Sequence, residues 1–153
     1  MAESFAGGCL CGAVRYRVTP TVRFQAYACH CTDCQTRTGS AFGLQLSVLA
    51  ADFHIEGPVL RGEHVQPSSA IAGIFACEKC LTRLYTDNDR RPGIVNLRAG
   101  TLDDSRDIVP ASHLWVSSKL PWVQIPPDCV TMERQPEDTA GWIAIFRPEP
   151  VKF

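Results

Sequence analysis

The sequence predicts a mainly β fold in which bound zinc holds small sheets together. Three observations lead to this prediction. Short runs alternate apolar and polar residues, which is the period of a half-buried strand. Eleven prolines and eleven glycines interrupt the chain between these runs. Seven of the eight cysteines come in close groups, which is the pattern of metal ligands.

Strands are predicted wherever the alternation occurs. The clearest case is Ala13–Val18, in which apolar residues alternate with two arginines. The runs that predict further strands are Arg23–Ala28, Phe42–Leu49, Ala70–Ala76, Ile94–Ala99, His113–Val116 and Trp142–Phe146. Asp87–Gly93 is predicted to be a polar loop between strands, and the prolines of Leu120–Pro127 exclude a regular helix there.

One short helix is predicted directly after the CxCxxC motif. Thr32 is followed three residues later by Gln35, which is the form of a capping box. The helix is therefore expected to cover Asp33–Thr38, with Gly39 at its C-terminal turn. This places Cys34 in the first helical turn, where the helix dipole favours a thiolate. The alternative for this cysteine is a plain buried thiol.

Length and composition are those of one soluble domain. The chain has 153 residues, of which 45% are hydrophobic and 20% charged, so it can form a core of its own. Residues 1–153 are predicted to be a single domain. Its motifs lie at about 7–125, and the tail 129–153 is expected to wrap the surface.

Charge and hydropathy exclude several classes of function. A net charge of −1 argues against a nucleic-acid partner, which requires a basic face. The N-terminus lacks the pattern of a signal peptide, and no apolar run approaches the about 18 residues that span a membrane. A cytoplasmic protein without a membrane partner is expected. The sequence leaves the oligomeric state open.

The spacing of the cysteines predicts two zinc sites. Closely spaced cysteines in a reducing cytosol are typical of metal or redox sites, whereas structural disulfides would require an exported protein. Zinc closes structural sites with four ligands and keeps one position open in catalytic sites. One full site, the four-cysteine set, is formed by Cys9, Cys11, Cys77 and Cys80. The three-cysteine set, with an open position, is formed by Cys29, Cys31 and Cys34.

Another division of the cysteines is also permitted by the spacing. In it, Cys29 and Cys31 share a metal with Cys77 and Cys80. Cys129 stands alone and is expected to be a plain thiol.

The histidines offer a possible proton donor. His30 lies inside the CxCxxC motif and is a candidate for that role, with a turn histidine facing solvent as the alternative. The other three have no ligand spacing and no predicted role: His54, His64 and His113.

Five segments carry a resemblance to a known family. They are GGCLCGAVRY, CHCTDCQTRTGSAF, FACEKCLTRLY, VNLRAGTLDD and HLWVSSKLPWVQI, in this order. Together they resemble the glutathione-dependent formaldehyde-activating enzyme family, also called the Gfa or CENP-V/GFA domain family. The resemblance extends from about Gly7 to Ile125 and implies the β-tent fold, which is built of small antiparallel sheets.

The resemblance also implies cofactors and an activity. It implies a structural zinc on the four-cysteine set and a catalytic zinc on the three-cysteine set, two zinc ions per chain. The implied activity is that of a carbon–sulfur lyase, which forms S-hydroxymethylglutathione from glutathione and formaldehyde. The family usually has glycine directly after the last CxxC, where this chain has Leu81. A residue there often needs φ > 0, which leucine adopts at a cost of about 1–2 kcal/mol.

The substrate expected from these features is a small thiol. A zinc ion bound by three thiolates favours a further soft ligand, and glutathione is the first candidate. Arg37, Ser40 and Lys119 are candidates for binding its carboxylates, and Trp122 for a wall of its pocket. Two other functions share the motifs. One is a non-catalytic zinc module that carries glutathione or binds a protein partner. The other is a redox protein in which the three-cysteine set exchanges disulfides.

Overall fold

The computed structural model describes residues 3–66, 68–146 and 149–150. Over this range the chain has thirteen strands and two helices, so the mainly β fold is confirmed. The helices are α1 (Thr32–Thr38) and α2 (Thr139–Phe146). The strands are β1 (Phe5–Gly8), β2 (Arg15–Val18), β3 (Val22–Arg23), β4 (Ala26–Cys29), β5 (Gly43–Leu49), β6 (Phe53–Glu56), β7 (Val59–Val65), β8 (Ile71–Cys77), β9 (Arg83–Asn88), β10 (Ile94–Arg98), β11 (Ser112–Leu114), β12 (Val130–Met132) and β13 (Glu149–Pro150). No helix in the described ranges is long and apolar enough to cross a membrane.

The strands form three sheets. One pairs β13 with β3, and the small sheet has the order β1-β2-β6. The large sheet has the order β12-β11-β4-β5-β10-β9-β8-β7. Its pairings are antiparallel except at β11, which runs parallel to both β4 and β12. Because Leu114 pairs with Cys29 in parallel register, the segment after β11 lies beside the CxCxxC motif.

The main core lies between the small sheet and one face of the large sheet. In β2, Tyr16 and Val18 are buried and the two arginines are exposed, as the alternation predicts. The buried residues that pack with them include Val14, Val48, Leu84, Val95, Leu97 and Leu102. The apolar face of the large sheet is therefore the one that faces the small sheet.

The predicted strand at Trp142–Phe146 is wrong, because these residues belong to α2. A short apolar run does not by itself distinguish a buried strand from a buried helix. The Asp138 carboxylate accepts a hydrogen bond from the Gly141 N–H, as expected of a helix cap. Trp142 is only 1% exposed and packs edge-to-face on Tyr27. Residues 147–148 and 151–153 of the predicted tail lie outside the described ranges.

The other six predicted strands are confirmed, with shifts at their ends. The run Arg23–Ala28 is divided into β3 and β4. Six strands have no counterpart in the prediction: β1, β6, β7, β9, β12 and β13. The edge strand β7 is mostly exposed on both faces, so its sequence does not alternate, and pairing with β8 makes it a strand.

The remaining local predictions are confirmed with small corrections. The helix α1 begins at Thr32, one residue earlier than predicted. Its C-cap residue is Gly39, which adopts the left-handed conformation with φ of 64°. The predicted polar loop begins two residues later than expected, because β9 continues to Asn88. Leu120–Pro127 contains no regular helix.

Candidate metal centres and active site

The four-cysteine set lies where the small sheet meets the large sheet. Cys9 and Cys11 lie in the turn between β1 and β2, Cys77 ends β8, and Cys80 lies in the turn before β9. All four Sγ atoms lie within 4.8 Å of one another. The Sγ atoms of Cys9 and Cys11 are 3.5 Å apart, and those of Cys11 and Cys77 are 3.8 Å apart. This set can therefore surround one metal ion.

The surroundings favour thiolates at Cys9 and Cys80, whereas the hydrogen bonds with these two raise the pKa of Cys11 to about 11. The backbone N–H of Val14 donates to Cys9 Sγ over 3.2 Å. The Thr82 hydroxyl lies 3.1 Å from Cys80 Sγ, and this hydrogen bond is the main reason why the pKa of Cys80 is lowered to about 5. Thiolates are the form of cysteine that binds metal, so these two positions favour a bound cation.

Leu81 adopts the left-handed conformation that the family resemblance suggests for this position. Its φ is 60°, and its N–H donates to the Cys77 carbonyl over 2.9 Å. The turn thus keeps its shape without glycine, at a strain of about 1–2 kcal/mol. The Leu81 side chain is 66% exposed, so packing offsets little of this strain.

The three-cysteine set lies between the end of β4 and the start of α1. Cys29 ends the strand, Cys31 directly precedes the helix, and Cys34 lies in its first turn. Their Sγ atoms lie within 4.8 Å of one another, in a group separate from the four-cysteine set. The alternative in which Cys29 and Cys31 join Cys77 and Cys80 does not occur in the structure.

The capping box predicted for α1 is wrong. The side chain that caps the helix is Cys31, whose Sγ accepts the N–H of Cys34 over 3.3 Å. The Gln35 amide instead donates to the backbone carbonyls of His30 and Ser118, at 2.8 Å and 2.9 Å. A cysteine at the cap lets one residue start the helix and contribute a sulfur to the set.

Three thiols this close do not all ionise unless a cation is present. Hydrogen bonds from Cys29 and Cys31, followed by the positive charge of Arg98, lower the pKa of Cys34 to about 3. The sulfur atoms of Cys31 and Cys34, followed by burial, raise the pKa of Cys29 well above its usual range. Only a bound cation would allow all three sulfur atoms to be anionic.

The donor chemistry of both sets fits zinc. All eight cysteines are free thiols, and sulfur ligands select zinc over the hard cations. The four-cysteine set offers a complete tetrahedron. Within the described part of the chain, no histidine, carboxylate or fourth cysteine joins the three-cysteine set, so it offers three ligands.

A cavity of about 510 Å³ lies beside the three-cysteine set. Its floor is the face of the large sheet opposite the main core. Gln45, Asn96 and Arg98 line the cavity, whereas Leu97, between the last two, packs in the core. Gln45 and Asn96 are buried, and the Gln45 amide lies 3.8 Å from Cys34 Sγ. Buried polar side chains are uncommon, so this polar face indicates a ligand site.

Arginine dominates the wall of this cavity. The six that line it are Arg37, Arg83, Arg90, Arg91, Arg98 and Arg134. Arg98 can approach Cys34 because Gly43 has no side chain. A methyl group at Gly43 would lie 2.8 Å from Arg98 Nη1 and 3.5 Å from Cys34 Sγ. The concentration of positive charge favours an anionic ligand.

Comparison with known proteins identifies the family. The family model for glutathione-dependent formaldehyde-activating enzyme (GFA) matches residues 4–118. The chain belongs to the GFA family. The membership predicted from the five segments is therefore confirmed.

Individual relatives add two comparisons. A Halomonas elongata protein named for the same activity is 30% identical over 128 residues, which is 78% of this chain and 79% of that protein. A crystal structure of a Rhodobacter sphaeroides protein is 16% identical, with a TM-score of 0.48, and covers 65% of this chain and 88% of that chain.

Of the four substrate-binding candidates for this GFA protein, Arg37 lines the cavity. Ser40 is exposed beyond the end of α1, and Trp122 is 72% exposed. The Lys119 ammonium donates to two backbone carbonyls of the loop that follows it, at 3.1 Å and 2.7 Å. These three are not among the residues that line the cavity.

The alternative that His30 faces solvent is wrong, because this side chain is fully buried. His30 Nε2 lies 2.9 Å from His113 Nδ1. Burial, followed by the charges of His113 and Lys119, lowers the pKa of His30 to about 4, and burial also lowers the pKa of His113. Both rings are neutral at physiological pH and lie outside the cavity wall, which does not support His30 as the proton donor.

Sequence reasoning missed several residues of the GFA cavity. His64 in β7 lines it, with Nε2 2.7 Å from the Asp33 carboxylate in α1. No local pattern reveals this pair, because sheet pairing brings the two residues together from 31 positions apart. Arg83 and Arg98 also line the cavity. The alternation of β10 around Leu97 is the signal by which Arg98 can be placed on the polar face.

Proposed function

We propose that this GFA protein is a zinc-dependent carbon–sulfur lyase. Its substrate would be the adduct of a small thiol and an aldehyde, with S-hydroxymethylglutathione as the first candidate. The observation that carries the proposal is a set of three sulfur atoms that opens on an arginine-lined cavity. Family membership, and the activity for which the Halomonas elongata relative is named, support glutathione and formaldehyde as reactants.

Two zinc ions per chain belong to this proposal. The four-cysteine set would hold a structural zinc between the two sheets, and the three-cysteine set a catalytic one. Zinc bound by three thiolates supplies a position for a further soft ligand, which it holds as an anion. The cytoplasm is the proposed compartment, because free cysteines and glutathione both belong to reducing surroundings.

The proposed reaction is the addition of a thiol to an aldehyde, and its reverse. In the forward direction the thiol loses its proton, its sulfur bonds to the carbonyl carbon, and the carbonyl oxygen takes up a proton. In the reverse direction the hydroxyl group loses its proton and the carbonyl bond re-forms. The carbon–sulfur bond then breaks and the sulfur leaves as a thiolate. The cavity would hold the thiol in one orientation, which lowers the entropic part of the barrier. We assign proton exchange to His64 beside Asp33, because both line the cavity.

The test is the rate of S-hydroxymethylglutathione formation by zinc-replete protein. Because the reactants combine spontaneously, the rate must exceed the uncatalysed rate and scale with protein concentration. Cys34→Ser should abolish the acceleration. Cys129→Ser should retain it, because Cys129 is a half-buried thiol outside both sets.

The other outcomes lead to different functions. Glutathione binding without acceleration would contradict the lyase and make the protein a carrier. Reversible oxidation of the three-cysteine set, with one zinc per chain by elemental analysis, would support a redox protein. Two zinc ions per chain with acceleration is the result that we expect.

A further inference from the structure

Two arginines of the cavity wall have buried nitrogen atoms without a hydrogen-bond partner. These atoms are Nε and Nη1 of Arg83 and Nη1 of Arg98. Most buried polar groups in proteins are hydrogen-bonded, and buried charges are paired. In the described part of the chain, neither of these arginines, nor Arg37, forms an ion pair. Both side chains line the cavity, so a ligand there can reach the guanidinium groups and offset their unpaired charge.

The three guanidinium groups lie close enough to repel one another. Burial, followed by the charges of Arg98 and Arg37, lowers the pKa of Arg83 to about 10, so Arg83 stays charged at neutral pH. Three acids line the same cavity, and among the described residues none of them forms an ion pair with these arginines. Asp33 is bonded to a histidine at 2.7 Å, and Asp87 accepts a backbone N–H at 3.0 Å. An anionic ligand would relieve this repulsion.

We propose that Arg37, Arg83 and Arg98 form an acid-group subsite, and that this subsite makes the cavity select thiols that carry a carboxylate. The inference rests on the proposed function, because it places the thiol of the same ligand at the three-cysteine set. Arg98 connects the two regions, since it lies beside Cys34 in the space left by Gly43. A planar guanidinium donates two parallel hydrogen bonds to a carboxylate, which makes arginine suited to this group.

The preference for an acidic thiol follows from the state of the guanidinium groups when a neutral thiol is bound. A ligand that enters the cavity displaces water from its wall. A carboxylate pairs with the guanidinium charges, whereas a neutral end group leaves these charges unpaired in the same space. The volume of about 510 Å³ is in the range of sites for small molecules, so one ligand can reach both the thiol position and the arginines.

The test compares 3-mercaptopropionate with 3-mercapto-1-propanol by titration calorimetry on the intact, zinc-replete protein at low ionic strength. The two probes have the same thiol and chain length and differ in the acid group. We expect wild type to bind the acid about tenfold more tightly than the alcohol. Arg83→Gln and Arg98→Gln should each reduce this preference to within about threefold.

Two further variants make the comparison specific. Arg17→Gln removes the same charge from an exposed position on the small sheet, so it should keep the full preference. Gly43→Ala keeps every arginine but crowds Arg98 Nη1, so it should lower the preference. Zinc content and the melting transition of each variant must match wild type before its binding is compared.

The probe 3-(methylthio)propionate separates this inference from the proposed function, because it keeps the acid and lacks the thiol. If it binds as tightly as 3-mercaptopropionate and still depends on Arg98, the subsite is supported and the thiol role of the three-cysteine set is contradicted. Equal binding of acid and alcohol by wild type overturns the subsite. So does a preference that survives Arg83→Gln and Arg98→Gln in folded, zinc-replete protein.

Discussion

Replacing Cys77 with serine should remove most of the stability of this protein. The Cys77 side chain is fully buried at the end of β8. Its sulfur is one of four that lie where the small sheet meets the large sheet. The substitution takes one ligand from the four-cysteine set and leaves a hydroxyl group among the remaining sulfur atoms. A tetrahedral zinc site that loses one thiolate binds its metal far less tightly.

The expected magnitude follows from comparing two free energies. Structural zinc contributes about 10 kcal/mol in small metal domains. The whole free energy of unfolding of a domain is about 5–15 kcal/mol. Loss of the proposed zinc would therefore remove a free energy similar to the whole free energy of unfolding. Cys129→Ser makes the same atomic change at a half-buried thiol, with Sγ 3.5 Å from the Pro110 carbonyl, and should cost about 1 kcal/mol or less.

The assay is thermal unfolding followed by circular dichroism, with the zinc content of each purified variant. Cys77→Ser should be insoluble, or should melt ~20 °C or more below wild type, while Cys129→Ser stays within a few degrees. Cys34→Ser should cost much less than Cys77→Ser, because its set is assigned to chemistry. The reasoning is refuted if Cys77→Ser has the same melting temperature as the Cys129→Ser control. Unfolding of Cys34→Ser but not of Cys77→Ser would reverse the roles of the two sets.

Two further predictions concern single side chains. Leu81→Gly should raise the free energy of unfolding by ~0.5–1 kcal/mol in urea, because relief of left-handed strain exceeds the entropy that glycine adds to the unfolded chain. A decrease would mean that the exposed leucine packs on something in solution. Trp142→Ala should cost about 3–5 kcal/mol in the same measurement, because this side chain is buried and its indole N–H donates to Ser47 over 3.1 Å. The matched variant Trp122→Ala, at an exposed position, should change stability by less than about 0.5 kcal/mol, and similar losses for both would contradict the burial argument.

The features predicted correctly from sequence are those that depend on neighbours along the chain. Alternation predicts β2, and the short spacing of the cysteines predicts both groups of sulfur atoms. The requirement for a left-handed residue after the last CxxC appears in the φ of Leu81. A single domain over 1–153 stays a prediction, as do the roles of the two sets.

The features that were missed depend on residues far apart in the chain. The arginine wall combines α1, β9 and β10, and no local pattern brings Arg37, Arg83 and Arg98 together. His64 reaches Asp33 only because β7 is added at the edge of the large sheet. The apolar run at Trp142 predicts a strand, because the aromatic ring of Tyr27 on which it packs is not visible in its own sequence.

The two cysteine sets differ in how the unfolded chain can assemble them. The three-cysteine set spans six residues, so an unfolded chain can gather its sulfur atoms at little cost. Cys11 and Cys77 are 66 residues apart, and closing a loop of that length costs about 4 kcal/mol of chain entropy. We therefore expect the four-cysteine set to close late in folding, when the turn between β1 and β2 meets the hairpin of β8 and β9. By the same geometry, these sulfur atoms separate only as fast as the two sheets do. If the set holds the proposed zinc, the rate at which a strong chelator removes this zinc should therefore report the rate at which the native protein opens.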